Sequence, residues 1–210
     1  MKLKQILAIV LSVALVACIS IAATVAYLTD TEEVVNTFTV GRVDIKLDEE
    51  WVDYNPDDAV TSQPTERVTE NTYKLYPGKT YEKDPTITVQ EDSEDCWLFV
   101  KVENGLVKGD LNIEAESEDG EDGYKTIADQ MEENGWKLVD GTTDIYAYEE
   151  RSVSAGDKIV VFEYFKIATH VDNGDLSIYD NANITVTAYA IQAEGFDTAE
   201  DAWTTNAGHF

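Results

Sequence analysis

Residues 86–90 (TITVQ), 96–103 (CWLFVKVE), 158–167 (KIVVFEYFKI) and 183–192 (NITVTAYAIQ) alternate apolar with polar side chains or run continuously apolar, with β-branched and aromatic residues in excess. A period of two marks a strand with one buried face, and a short apolar run marks a strand buried on both. Residues 40–48 (VGRVDIKLD) alternate too, and residues 135–151 hold two short runs around Asp140-Gly141, a hairpin signal. In residues 77–85 (PGKTYEKDP) a Pro-Gly turn leads into a further strand. Helical signals are confined to residues 124–135, stopped by Gly135, and residues 197–203. The pattern predicts a mainly β chain, folded as an antiparallel β-sandwich, jelly-roll-like in its closure, with one or two short helices.

The N-terminus departs from that pattern. Lys2 and Lys4 precede an uncharged run, residues 6–25, and the small residues Ala22, Ala23 and Ala26 cluster at its end. A basic start, an apolar middle and a small-residue end make an export signal, with cleavage expected between Ala26 and Tyr27. Two alternatives use the same residues. The run is long enough to span a bilayer core of about 30 Å and so to remain as an anchor. Residues 15–18 (LVAC) also resemble a lipobox that would place a lipid on Cys18, although the residues after it stay apolar as far as Val25.

The chain therefore divides into a signal (1–26), a connecting segment (27–41) and a domain (42–210). Apolar positions change phase where the last two meet. Phe38 and Val40 are even, whereas Val43, Ile45 and Leu47 are odd. A slip of one residue turns side chains to the opposite face of a strand. Either a bulge sits at Gly41, or the residues on its two sides pair with different strands. In the second case the residues before Gly41 are free to leave the parent domain.

Charge narrows the choice of partners. Asp and Glu number 42 against 15 Lys and Arg, a net charge of −27. Removing residues 1–26 takes away Lys2 and Lys4 but no acid, leaving −29. Such a surface repels phosphate backbones and anionic lipid, so no nucleic-acid partner is expected. Copies of the chain repel one another at low salt, and divalent cations are candidate partners. Cysteine offers no internal disulfide after cleavage, because only Cys96 remains. It lies in phase with Leu98, Val100 and Val102 and reads as a buried, unreactive hydrophobe.

Catalytic signals are thin. The histidines are His170 and His209, far apart, and no H-E-x-x-H pair, G-x-S-x-G elbow or phosphate-cradling glycine loop occurs. A catalytic zinc takes about three protein ligands, often His. No catalytic residue, metal site or cofactor is expected. With 42 acids, close carboxylate pairs arise by chance and identify nothing. Residues 114–123 (EAESEDGEDG) read as a solvated acidic loop that lacks EF-hand spacing.

Residues 26–51 (AYLTDTEEVVNTFTVGRVDIKLDEEW) resemble the entry segment of the TasA/camelysin-like exported proteins. The matches are Ala26, Tyr27, Thr29, Asp30, Asn36, Thr37, Phe38, Thr39 and Gly41, with further blocks at 76–89, 96–103 and 184–203. Residues 104–154 match poorly. The resemblance implies export through a SipW-type signal peptidase and a jelly-roll sandwich. It also implies a role as a secreted structural subunit of extracellular biofilm-matrix fibres, in the matrix or at the cell surface. In such fibres the N-terminal segment of one subunit completes a sheet of the next by strand addition. Val34 or Val35, Phe38 and Val40 would be the donor-strand anchors here. The implied partners are further copies of the chain and other matrix proteins. Two alternatives remain: a camelysin-like metal-dependent protease, for which the chain lacks a histidine cluster, and a monomeric, membrane-anchored surface binding module.

Overall fold

The computed structural model describes residues 41–53, 61–108, 111–115, 124–172 and 182–206, with residues 174, 176 and 179 between the last two stretches. The export signal, the bond between Ala26 and Tyr27, Cys18, His209 and the donor positions Val34, Val35, Phe38 and Val40 lie outside the described residues.

Two four-stranded antiparallel sheets make up most of the fold. The first holds Ile45–Asp53 (β1), Thr61–Val68 (β2), Thr86–Val89 (β4) and Lys158–Val160 (β10), in the order β10-β4-β1-β2. The second holds Cys96–Asn104 (β5), Trp136–Leu138 (β8), Ile145–Tyr148 (β9) and Ile184–Gln192 (β12), in the order β12-β5-β9-β8. Thr80–Glu82 (β3) pairs with Tyr164–Lys166 (β11), and Val107–Lys108 (β6) with Leu111–Asn112 (β7). The structure also holds two short helices, Ile127–Glu133 (α1) and Ala199–Asn206 (α2). Ile87, Val89 and Ile159 of the first sheet share one core with Leu98, Val100, Trp136 and Tyr148 of the second. The chain is thus mainly β, with antiparallel sheets packed as a sandwich.

The strand β5 is buried on both faces, as its continuous apolar run predicts. Cys96, Leu98, Val100 and Val102 face the main core. Trp97 and Phe99 enter a second cluster with Ala147, roofed by Ala199 and Ala202 of α2. The rings of Phe99 and Trp203 lie 5.2 Å apart. Each fully buried large side chain of this kind contributes about 1.5–3 kcal/mol. Cys96 is buried, and its burial, with Asp95 and Asp157 nearby, pushes the thiol up to about 11. The thiolate is the reactive form. We therefore expect native protein to resist labelling by a thiol reagent at pH 8, and urea-unfolded protein to label at once.

Residues 158–167 do not form the single strand that their pattern predicts. The run divides into β10 and β11, which lie in different sheets. The cause sits between the partner strands β3 and β4. Pro85 has no N–H to give the ladder, and its carbonyl accepts from the N–H of Val161 at 2.8 Å. Side chains from α1 and its C-terminal turn take up the backbone groups at the bend. The Gln130 Oε1 accepts from the N–H groups of Glu163 and Tyr164, and Asn134 Nδ2 donates to the Val161 carbonyl. A capping box between Thr126 and Asp129 starts α1, and Gly135 follows its end at φ +87°, so the helix is shorter than residues 124–135. Likewise α2 starts later than residue 197, because the Thr198 hydroxyl accepts from the N–H of Asp201.

One expectation about a polar residue needs correction. Glu114 is not part of a solvated loop. It is buried, and its carboxylate accepts from Asn104 Nδ2 at 2.8 Å and from the Ile127 N–H at 2.7 Å, at the start of α1. The polar residues 61–68, which carry no strand signal and contain Pro64, form the edge strand β2.

Buried charge also appears where β1 joins its neighbours. Asp48 is pushed up by burial, but hydrogen bonds and charge from Lys46 and Arg67 outweigh this and hold it below the usual carboxylate range. Its contribution is present above about pH 4, the unfolded value, and is lost as pH falls through the lower folded value. Glu49 is paired with Lys83, and their side chains are 6% and 11% exposed. Removing one partner of a buried pair leaves the other charge uncompensated. Lys83→Ala is expected to cost about 3–5 kcal/mol, read as a lowered urea midpoint.

Candidate functional site

The strand β12 pairs with β5 over its full length, from Ile184 opposite Asn104 to Gln192 opposite Cys96. Gly105 donates to the Asn183 carbonyl and Ala193 donates to the Asp95 carbonyl, so the odd positions of β12 exchange bonds with β5. The N–H and C=O of Ile184, Val186, Ala188, Ala190 and Gln192 therefore face the other way. Among the described residues no strand pairs with that outer edge. At about 3.3 Å per residue it is about 30 Å long.

The side chains of the same even positions face inward. Ile184, Val186, Ala188 and Ala190 pack against the main core yet stay only half-buried, whereas Leu98 and Val100 beside them on β5 are fully buried. The start of β1 repeats the arrangement. Lys46 and Asp48 pair with Thr88 and Thr86 of β4, and the Asp44 carbonyl accepts from Gln90. The even positions thus bond to β4, and the backbone groups of Val43, Ile45 and Leu47 face away from it. Pairing with β2 begins only at Glu49. Val43, Ile45 and Leu47 are again half-buried against the main core, on the face their odd phase predicts. Both edges start from one place, for Gly41 lies against the side chain of Gln192, the last residue of β12. A Cβ there would lie 2.8 Å from Gln192 Nε2.

Long edges are usually blunted by charge, proline or a bulge, since bare ones template pairing with other chains. In the four-stranded sheets two of the other outer strands follow this rule, for β2 carries Pro64, Glu66 and Arg67 and β10 carries Lys158. The third, β8, is three residues long, and its outward-facing positions are the apolar Trp136 and Leu138. The nine residues of β12, ITVTAYAIQ, contain no charge, no proline and no glycine. In a chain with 27% charged residues this is the exception.

Sequence reasoning finds β12 as a strand but not as an edge. Its lack of charge was the available signal. Of the other chemically notable residues, His170 is exposed, and among the described residues no group of three or more His, Cys, Asp or Glu is placed to hold a metal ion. No family model matches the chain, and no curated protein or solved structure matches it.

Proposed function

We propose that this chain is a secreted structural subunit of extracellular-matrix fibres, of the TasA/camelysin kind, in which residues 27–40 of one copy add as a strand to the open edge of the next. The observation that carries the reading is β12, a nine-residue edge free of charge and proline in a chain of net charge −27. Strand addition draws affinity from main-chain bonds and specificity from pockets for alternate side chains. The half-covered floor made by Ile184, Val186, Val43, Ile45 and Leu47 suits Val34 or Val35, Phe38 and Val40. Residues 27–40 reach about 46 Å when extended, more than the edge requires. Removal of residues 1–26 by a SipW-type peptidase at Ala26 would free the donor, and jelly-roll closure belongs to the same reading.

Copies of charge near −29 repel, and salt screens that repulsion. Electron microscopy of the mature chain should show fibres that become more abundant from about 10 mM to about 150 mM salt, where the Debye length falls from about 30 Å to about 8 Å. A chain that stays monomeric across that range and at high protein concentration would contradict the proposal.

A further inference from the structure

A second surface, at the opposite edge of the same sheet, has a different chemistry. A groove of about 660 Å³ lies between α1 and the β8–β9 hairpin. Its apolar lining is Ala128, Trp136, Leu138 and Tyr146. Leu138 is 43% exposed, one of two large hydrophobic residues so placed among the described residues. Val139 donates to the Ile145 carbonyl and Glu149 donates to the Gly135 carbonyl, so the odd positions of β8 bond to β9. The N–H and C=O of Trp136 and Leu138 therefore face away from β9, and among the described residues no strand pairs with β8 on that side.

Around this floor stand Asp129, Glu132, Glu149 and Glu150, against one cation, Lys137. Glu149 already holds Lys137 at 3.3 Å, and Asp129 is engaged by Thr126. Glu132 and Glu150 are exposed, and no ion pair among the described residues engages them. The rim is thus net negative. It turns away further copies of a chain that itself carries −27. The same charges favour a basic segment, so attraction to one class of partner and exclusion of self come from one set of side chains.

We propose that the β8 edge with its groove is a docking site for a basic, extended segment of a different protein. The segment pairs with the outward N–H and C=O of Trp136 and Leu138, sets an apolar side chain on Leu138 and Tyr146, and places Lys or Arg near Glu132 and Glu150. The site is independent of the fibre joint, which uses the other end of the sheet.

The probe is a nine-residue peptide alternating lysine with valine, compared with its glutamate–valine counterpart. The receiving protein is the mature chain carrying Ala188→Pro, so that β12 takes no strand. Binding is followed by amide NMR shifts at Trp136, Lys137 and Leu138. The lysine peptide is expected to bind at least about tenfold more tightly than the glutamate peptide, and to weaken with salt. Leu138→Pro removes an outward N–H together with the Leu138 side chain and should lower that affinity at least about tenfold while the fold survives, since edges tolerate proline. Should Leu138→Pro fail to fold, Glu132→Lys with Glu150→Lys serves instead and should invert the peptide preference. Equal binding of both peptides, no binding up to about 1 mM (−4.1 kcal/mol), or binding unchanged in the variants would overturn the proposal.

Discussion

Deleting residues 27–40 is expected to leave a folded chain that no longer polymerises. The first described strand does not depend on those residues for its own sheet, since Ile45, Lys46, Leu47 and Asp48 pair with Val89, Thr88, Ile87 and Thr86 of β4. Cooperative urea unfolding should therefore persist, while sedimentation reports a monomer under salt conditions where the mature chain forms fibres. Phe38→Asp should act almost as strongly. Loss of a large apolar anchor forfeits about 1.5–3 kcal/mol per joint, which is about a tenfold to 150-fold weaker association. The carboxylate must in addition enter a dry site without a partner, which costs more. A deletion chain that still forms fibres would place the joint elsewhere. One that unfolds would make the segment an ordinary strand of its own domain.

Ala188→Pro is expected to block the receiving side with equal effect. The N–H of Ala188 faces away from β5, so proline there breaks no bond of the parent sheet, and proline is tolerated on edge strands in that orientation. What it removes is one donor in the middle of the edge, together with the straight approach of an added strand. The variant should keep its urea midpoint within about 1.5 kcal/mol of the parent and should sediment as a monomer at every salt concentration tested. Ala188→Asp, which retains the N–H but turns a charge inward at the half-buried edge, should also give a monomer, with a lowered urea midpoint. Fibres from both variants would show that β12 is not the acceptor.

The strands and the main core were largely legible in the chain, because burial imposes its period locally. The odd phase of Val43, Ile45 and Leu47 and the even phase of Cys96, Leu98, Val100 and Val102 reappear as faces turned to the main core. What stayed hidden depends on partners remote in sequence. The division of residues 158–167 is set by Pro85, between β3 and β4, and by Gln130 on α1. The burial of Glu114 is set by Asn104 and the N–H of Ile127. The strand β2 is polar because it lies at an edge, where no apolar period is required. The position of β12 at the end of its sheet was hidden for a similar reason. The strand's composition is printed in residues 184–192, but its place at the end of the sheet follows from the pairing order.

The claim that residues 27–40 of one copy add to β12 of another is tested most directly by mixing two chains that are each disabled on one side. The deletion chain keeps an acceptor and lacks a donor, and the mature chain with Ala188→Pro keeps a donor and lacks an acceptor. Each alone should sediment as a monomer. An equimolar mixture should give a 1:1 heterodimer and nothing larger, because neither product has both a free donor and a free edge. A mixture that stays monomeric, or either chain polymerising on its own, would contradict the account.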